Sequence, residues 1–225
     1  MAYRFQRDES VEQGARRIAC EQIDRALESV DAPRTQRDEA IHDIRKRCKK
    51  IRALLRLVRE TIGPDIYSAE NAHYRDAARL LSDARDGAVM VETVEGLSQQ
   101  FAGRLSPEAF AGVRDALAER HRAALDAVDK EDAMAAVADA LRAGRERVEA
   151  WPISEMGFDA LAGGLRRVYK RGLKGLGDNE VEQRVTMDSM HEWRKRVKYL
   201  WYNLRLLQNA WRPVAKSLAD EQHEL

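Results

Sequence analysis

The stretch 41–59, IHDIRKRCKKIRALLRLVR, returns at 190–208 as MHEWRKRVKYLWYNLRLLQ. At this offset of 149, eight of 19 positions are identical: His42/His191, Arg45/Arg194, Lys46/Lys195, Arg47/Arg196, Lys49/Lys198, Leu55/Leu204, Arg56/Arg205 and Leu57/Leu206. Wound at about 100° per residue, His42, Arg45, Lys46, Lys49, Arg52 and Arg56 fall within roughly 120° of arc. Ile41, Ile44, Cys48, Ile51, Leu55 and Val58 take the other side. The second copy sorts the same way. His191, Arg194, Lys195, Lys198 and Arg205 share a face with Trp201 and Tyr202, opposite Met190, Trp193, Val197, Leu200, Leu204 and Leu207. Each copy is an amphipathic helix with a basic stripe.

The helix before each copy repeats too. Gly14-Ala15-Arg16-Arg17-Ile18 is echoed by Gly164-Leu165-Arg166-Arg167-Val168. Two copies of one helical hairpin imply two antiparallel bundles facing each other about a pseudo-two-fold axis. We divide the chain at Trp151-Pro152 into a first bundle, 1–150, and a second, 151–225. About 90 residues follow the first basic copy before Trp151, and 17 follow the second, so the second bundle is expected to be cut short.

Outside the repeat the periodicity is helical and strict alternation is missing, so the expected class is all-α. Ser10 with Gln13 forms a capping-box signature for a helix to about Val30. A helix is expected over 36–62, stopping at Gly63-Pro64, and a third over 68–100 with a break near Gly87. Ser106-Pro107 starts another, to about Val128, and a further one runs to about Ala150. Helices at 155–176 and 179–211, parted by Gly177, and a short one at 214–225 complete the pattern.

Composition bounds the function. In 225 residues there are 39 basic and 38 acidic side chains, for a formal charge of +1, which excludes a uniformly basic nucleic-acid coat. Two cysteines, Cys20 and Cys48, make no disulfide framework and suit a reducing cytosol. The N-terminus lacks an apolar core of the secretory kind, and no apolar run approaches the 18 or so residues of a membrane span. Yet charge is segregated. Residues 41–60 hold eight bases and two acids, 161–175 hold Arg166, Arg167, Lys170, Arg171 and Lys174 with no acid, and 107–150 hold ten acids against seven bases. A solvated charged face is the plain reading of any one basic helix. Repeated like charges four residues apart are unfavourable by about 0.2–0.5 kcal/mol per pair, which favours a groove that focuses positive potential on an anion.

The first basic face has no aromatic residue between Arg45 and Arg56, so it suits phosphate oxygens rather than bases. A long chain of phosphates is the most economical ligand. His42-Asp43 spells the dipeptide of metal-dependent phosphohydrolases, but no histidine precedes His42, and Arg45 and Lys46 would repel a dication. Phosphate-binding glycine loops, zincin motifs and nucleophile elbows are missing. The reading is therefore a binding protein, not an enzyme, with no cofactor and no metal.

These residues resemble the CHAD domain, the conserved histidine α-helical domain. His42-Asp43-Ile44-Arg45 through Arg52 resembles its first signature helix, and the run from His191 to Tyr202 its second. Leu81-Ser82-Asp83-Ala84-Arg85-Asp86 resembles its RD segment, and Gly164 to Tyr169 the helix before the second signature. The resemblance implies two helical bundles around a basic groove, binding of inorganic polyphosphate, and a cytoplasmic location, at polyphosphate granules in some bacteria. It carries over His42, Arg45, Lys49, Arg52, Arg166, Tyr169, Lys170, His191, Arg194, Lys195 and Lys198 as ligand contacts. The basic faces add Lys46, Arg56, Lys174 and Arg205, and the echo of Arg166 adds Arg16. The family continues with further helices where this sequence ends. The alternatives are a helical nucleic-acid binder, with Trp201 and Tyr202 as stacking platforms, a phosphohydrolase at His42-Asp43, and a scaffold whose basic faces meet an acidic partner protein.

Overall fold

The computed structural model describes residues 3–153, 157, 159–181 and 186–209. Among them the chain is all-α. The helices are α1 (Val11–Val30), α2 (Arg37–Leu57), α3 (Arg59–Ile62), α4 (Pro64–Arg79), α5 (Ser82–Gln100), α6 (Ala111–Lys130), α7 (Ala133–Val148), α8 (Asp159–Val181) and α9 (Met187–Leu206). The expected segment 214–225 and the end of 179–211 lie outside the described residues.

Helix α1 opens as the sequence predicts: Ser10 accepts from the Gln13 amide, and the Gln13 side chain accepts from the Ser10 amide. It packs as a hairpin on α2, and α4 and α7 complete a four-helix bundle. The apolar stripe of α2 is the centre of the core. Ile41, Ile44, Cys48, Ile51, Leu54, Leu55 and Leu57 are all fully buried. Each such aliphatic side chain contributes about 1.5–3 kcal/mol on leaving water. Helices α5 and α6 form a second hairpin that leans on the bundle. Trp151, chosen from sequence as a boundary, is buried in this core, and the Arg16 guanidinium donates to its carbonyl at 3.0 Å.

Three expected boundaries are corrected. The helix over 36–62 is interrupted at Val58, between α2 and α3. The interruption lies where α8 crosses. A Cβ on Gly164 would fall on the carbonyl oxygen of Leu57, so only glycine admits the two backbones so closely. The stop at Gly63-Pro64 holds, since α3 ends at Ile62, but the next helix starts at Pro64 rather than at 68: the missing proline N–H needs no partner at the start of α4, and Gly63, at φ 82°, makes the turn before it. The break in 68–100 falls at Leu80-Leu81, not at Gly87. Arg45 of α2 explains this, since its guanidinium donates to the Ala78 carbonyl (2.6 Å) and the Ser82 hydroxyl (2.7 Å), satisfying the groups the break exposes. Gly87 instead lets α5 approach α6, where a Cβ would meet His121 Nδ1 at 3.0 Å.

Gly177 also fails to end a helix, because α8 continues to Val181. A lone helical glycine costs only about 1 kcal/mol. Helices α8 and α9 form a hairpin whose members both pack on α2.

Two glycines of α8 give a paired prediction. Gly164→Ala should destabilise the fold by about 1–3 kcal/mol through forced separation of α8 from α2. Gly172→Ala, whose Cβ would meet nothing within 4 Å, should be neutral or raise stability by up to about 1 kcal/mol. Urea unfolding followed by circular dichroism measures both.

Candidate anion-binding site

Burying one side of α2 turns its other side outward. That side carries His42, Arg45, Lys46, Lys49, Arg52 and Arg56, and the structure divides them by what they already hold. Arg45 clasps the α4–α5 junction. Arg52 donates to Asn71 Oδ1 on α4 at 3.1 Å. Arg56 donates to the Arg52 carbonyl and lies over the Tyr199 ring, 3.8 Å from its centroid. Lys46 has a long contact with Asp43, at 3.4 Å. His42 and Lys49 are exposed and make no hydrogen bond or ion pair among the described residues. Thus two groups of the row are exposed and unpaired among the described residues, and three brace the neighbouring helices.

Sequence reasoning did not nominate Arg85, although it quoted the segment that contains it. From α5, Arg85 acts electrostatically on His42, Arg45 and Lys49. Its guanidinium is paired with Glu92 at 3.2 Å. The signal was present in the basic residue at the centre of that acidic turn, but its approach to α2 depends on the Arg45 clasp.

The second basic helix meets the first in antiparallel fashion. Tyr199 of α9 stacks on Arg56, near the end of α2, while Arg205 acts on Lys50, a turn and a half earlier. By the 149-residue offset Arg56 corresponds to Arg205 and Lys50 to Tyr199, so the ring contact and the electrostatic approach are reciprocally placed. Arg47 and Arg196, also equivalent, each reach back to the preceding helix: Arg47 to Gln22 Oε1 on α1, Arg196 to the Arg171 carbonyl on α8, both at 3.1 Å. The N-terminal segment wedges between α2 and α9. Tyr3 donates to the Lys50 carbonyl at 2.7 Å and stands edge-on to Tyr202, and the Phe5 amide donates to the Leu206 carbonyl.

On α9, His191 and Arg194 are exposed and make no hydrogen bond or ion pair among the described residues. Lys195 pairs with Glu192 at 2.6 Å. Lys198 and Arg205 both lie over the Trp201 ring, at 4.8 and 5.1 Å. Trp201 is only 9% exposed, and Tyr202 packs on the core, so neither offers a free face for a base. The α8 residues divide by helix face. Arg171 acts on Arg56, and Arg167 pairs with Glu60 of α3 at 2.9 Å. Arg166, Tyr169, Lys170 and Lys174 are exposed on the sides turned away from α2. Arg16 is engaged with Glu12 and the Trp151 carbonyl, apart from the α2 row.

The electrostatics of the row are those of an unneutralised cation cluster. Desolvation, followed by Arg85, Lys46 and Lys49, holds the His42 imidazolium below the usual histidine range. Lys49 is lowered by desolvation and by Arg45 and Arg85. Lys50 is pushed down to about 8 by desolvation, Arg47, Lys46 and Arg205. Asp43 relieves His42 and Lys50 only in part, its pull ranking below those of the cations. Its carboxylate is held low despite partial desolvation, bonded by Arg47 (2.9 Å), and it also accepts from Ser29. A carboxylate so committed is poorly placed to ligate a dication, and no group of three or more His, Cys, Asp or Glu among the described residues is arranged to hold one.

Because Lys50 titrates near 8 in the fold and near 10.4 when unfolded, the unfolded chain binds more protons between those values, and stability rises with pH across that window. Lys50→Met should therefore stabilise the protein at pH 7, with the gain shrinking from pH 8 towards pH 10. Thermal melts of both proteins across that range test it.

A family model for the CHAD domain matches residues 17–225. No curated protein matches the chain.

Proposed function

The chain belongs to the CHAD domain family, and on that premise we propose that it binds inorganic polyphosphate along the basic faces of α2 and α9. The observation that carries the reading is the antiparallel meeting of two equivalent cationic helices with little carboxylate to neutralise them. From His42 to Arg56 and on from Tyr199 to His191, at about 1.5 Å per residue, the track is roughly 30 Å long. Only a long polyanion engages all of it. His42, Lys46, Lys49 and Arg85 contact phosphate in the first half, and His191, Arg194, Lys195 and Lys198 in the second. Arg45, Arg52 and Arg56 hold the track in shape and lend it charge. The reciprocal contacts and the paired roles of Arg47 and Arg196 support two halves, 1–150 and 151–225, related by a pseudo-two-fold axis.

No turnover is part of this reading. The protein acts by binding, and the anion returns to the cations the stabilisation that crowding removes. His42 and Lys50 take up protons as it binds, because a bound polyanion raises pKa values that burial and then neighbouring cations have depressed. A nucleic-acid reading loses its platforms, since Trp201 is buried and Tyr202 packs on the core. No helix among the described residues is long and apolar enough to cross a membrane.

The test is a titration with long-chain polyphosphate at two salt concentrations, with RNA as competitor at equal phosphate. For about six neutralised phosphates, affinity should fall on the order of a thousandfold between 50 and 200 mM salt, and RNA should not displace the ligand. Lys49→Glu with Arg194→Glu removes two charge-assisted contacts worth about 1.5–3 kcal/mol each, so affinity should drop at least about 100-fold while the fold is retained. These open positions are preferable to Arg45, whose loss would free the α4–α5 junction. Unchanged affinity in the folded double variant, or phosphate release on incubation, would sink the proposal.

A further inference from the structure

Nothing in their charge brings the two cationic helices together. Where α9 crosses α2, Arg205 approaches Lys50, with Lys46 and Arg47 within a turn of it, so the seam sets like charges against each other. An uncharged tie is found in residues 3–5, which precede the stretch that the family model matches. Tyr3 lies in the seam, only 7% exposed. Its hydroxyl donates to the Lys50 carbonyl on α2 at 2.7 Å, and its ring meets Tyr202 of α9 edge-on, with centroids 6.0 Å apart. The Lys50 ammonium lies over the same ring, 4.9 Å from its centroid, and Arg205 acts on Tyr3 as well. An aromatic face attracts a cation without adding a charge of its own.

The next residues extend the tie. The Phe5 amide donates to the Leu206 carbonyl at 2.9 Å, and the Phe5 carbonyl accepts from the Asn209 side chain at 2.8 Å. Leu206 is the last residue of α9, so its carbonyl has no partner within the helix. From the other side, Arg17 of α1 donates to the Arg4 carbonyl at 3.0 Å and pairs with Glu9 at 2.7 Å. Phe5 lies where α1 carries a glycine: a Cβ on Gly14 would stand 2.5 Å from the Phe5 ring. One short segment is thus bonded to α1, α2 and α9.

Such a tie matters for a linear ligand. When two binding faces are held together, the second engages at high effective concentration, and the joint affinity exceeds either one by about 10²–10⁴. When like charges can push the faces apart, that gain is lost. We propose that residues 3–5 latch α9 onto α2, with Tyr3 as the positioning residue, and that the latch makes both cationic faces grip one polyanion and prefer long chains to short ones. This rests on the binding reading above and adds to it a determinant of chain length.

Calorimetric titration of the whole chain with two probes tests it: tripolyphosphate, short enough for one face, and long-chain polyphosphate, which reaches both. Tyr3→Ala should cut affinity for long chains at least about tenfold and leave that for tripolyphosphate within about twofold. Tyr3→Phe, which keeps the ring and loses the hydroxyl, should fall between. Gly14→Ala evicts Phe5 without touching Tyr3 or either cationic face, and alanine favours the helix it joins, so it should reproduce Tyr3→Ala. Amide hydrogen exchange without ligand should show α9 opening sooner in Tyr3→Ala and Gly14→Ala, with α2 unchanged. Circular dichroism verifies the fold, and Gly14→Ala and Tyr3→Phe carry the test should Tyr3→Ala fail to fold. Equal loss for both probes, or unchanged long-chain affinity in variants whose α9 has lost protection, overturns the latch and leaves the binding reading standing. Unchanged protection of α9 in every variant overturns it too. A wild type that binds neither probe sinks the binding reading and the chain-length preference with it, while hydrogen exchange still decides whether Tyr3 ties α9 to α2.

Discussion

Helix α2 must be the central rod of a dry core and the most positive surface of the molecule at once. Its stripe from Ile41 to Leu57 is inaccessible to water. That burial holds in place a row of like charges that an isolated helix would disfavour. The rest of the described structure follows from stabilising this helix. α1 supplies Gln22 to Arg47, α4 supplies the Ala78 carbonyl to Arg45 and Asn71 to Arg52, and α9 supplies the Tyr199 ring to Arg56. The arginines of the row brace the neighbouring helices. The shorter-reaching or more exposed groups, His42 and Lys49, stay open.

This division was not legible in the sequence. Helical periodicity places Arg45 and Lys49 on one face and says nothing of which neighbour each will meet. What was legible depends on local rules. The Ser10 cap, the apolar stripe of α2 and the hairpin before each basic helix all follow from residues within a few turns of each other. What was missed depends on contacts across the chain. The α2–α3 break coincides with the close crossing of Gly164, more than 100 residues away, and the α4–α5 break is bonded by Arg45. The stop at Gly63-Pro64 was legible, but the immediate start of α4 was not, because Gly-Pro suits the end of one helix and the start of the next equally well. Arg85 joined the site only once tertiary structure brought α5 to α2. Trp201 shows the opposite error: the wheel put it among the cations, and two cations do lie over its ring, but as a buried anchor.

The lowered proton affinities of His42, Lys49 and Lys50 come first from burial and then from the neighbouring cations, which the nearby carboxylates only partly offset. Elsewhere basic groups are answered by acids, as Arg17 is by Glu9 and Glu21, and Arg147 by Glu70, and there the guanidinium is held more firmly protonated. Near-zero net charge thus hides two regimes: pairing at the bundle's outer seams, and crowding at α2.

The antiparallel meeting of α2 and α9 bears on the direction of a ligand. Two equivalent helices related in this way present the same order of groups whichever end a bound chain enters. A linear phosphate polymer is identical read forwards or backwards, so under the proposed function both halves would grip it alike and either threading would count, doubling the productive encounters. A nucleic acid strand has a sense, 5′ to 3′, and contacts that suit it in one half would meet it reversed in the other. The proposed track would then discriminate by the symmetry of the polymer as well as by its charge.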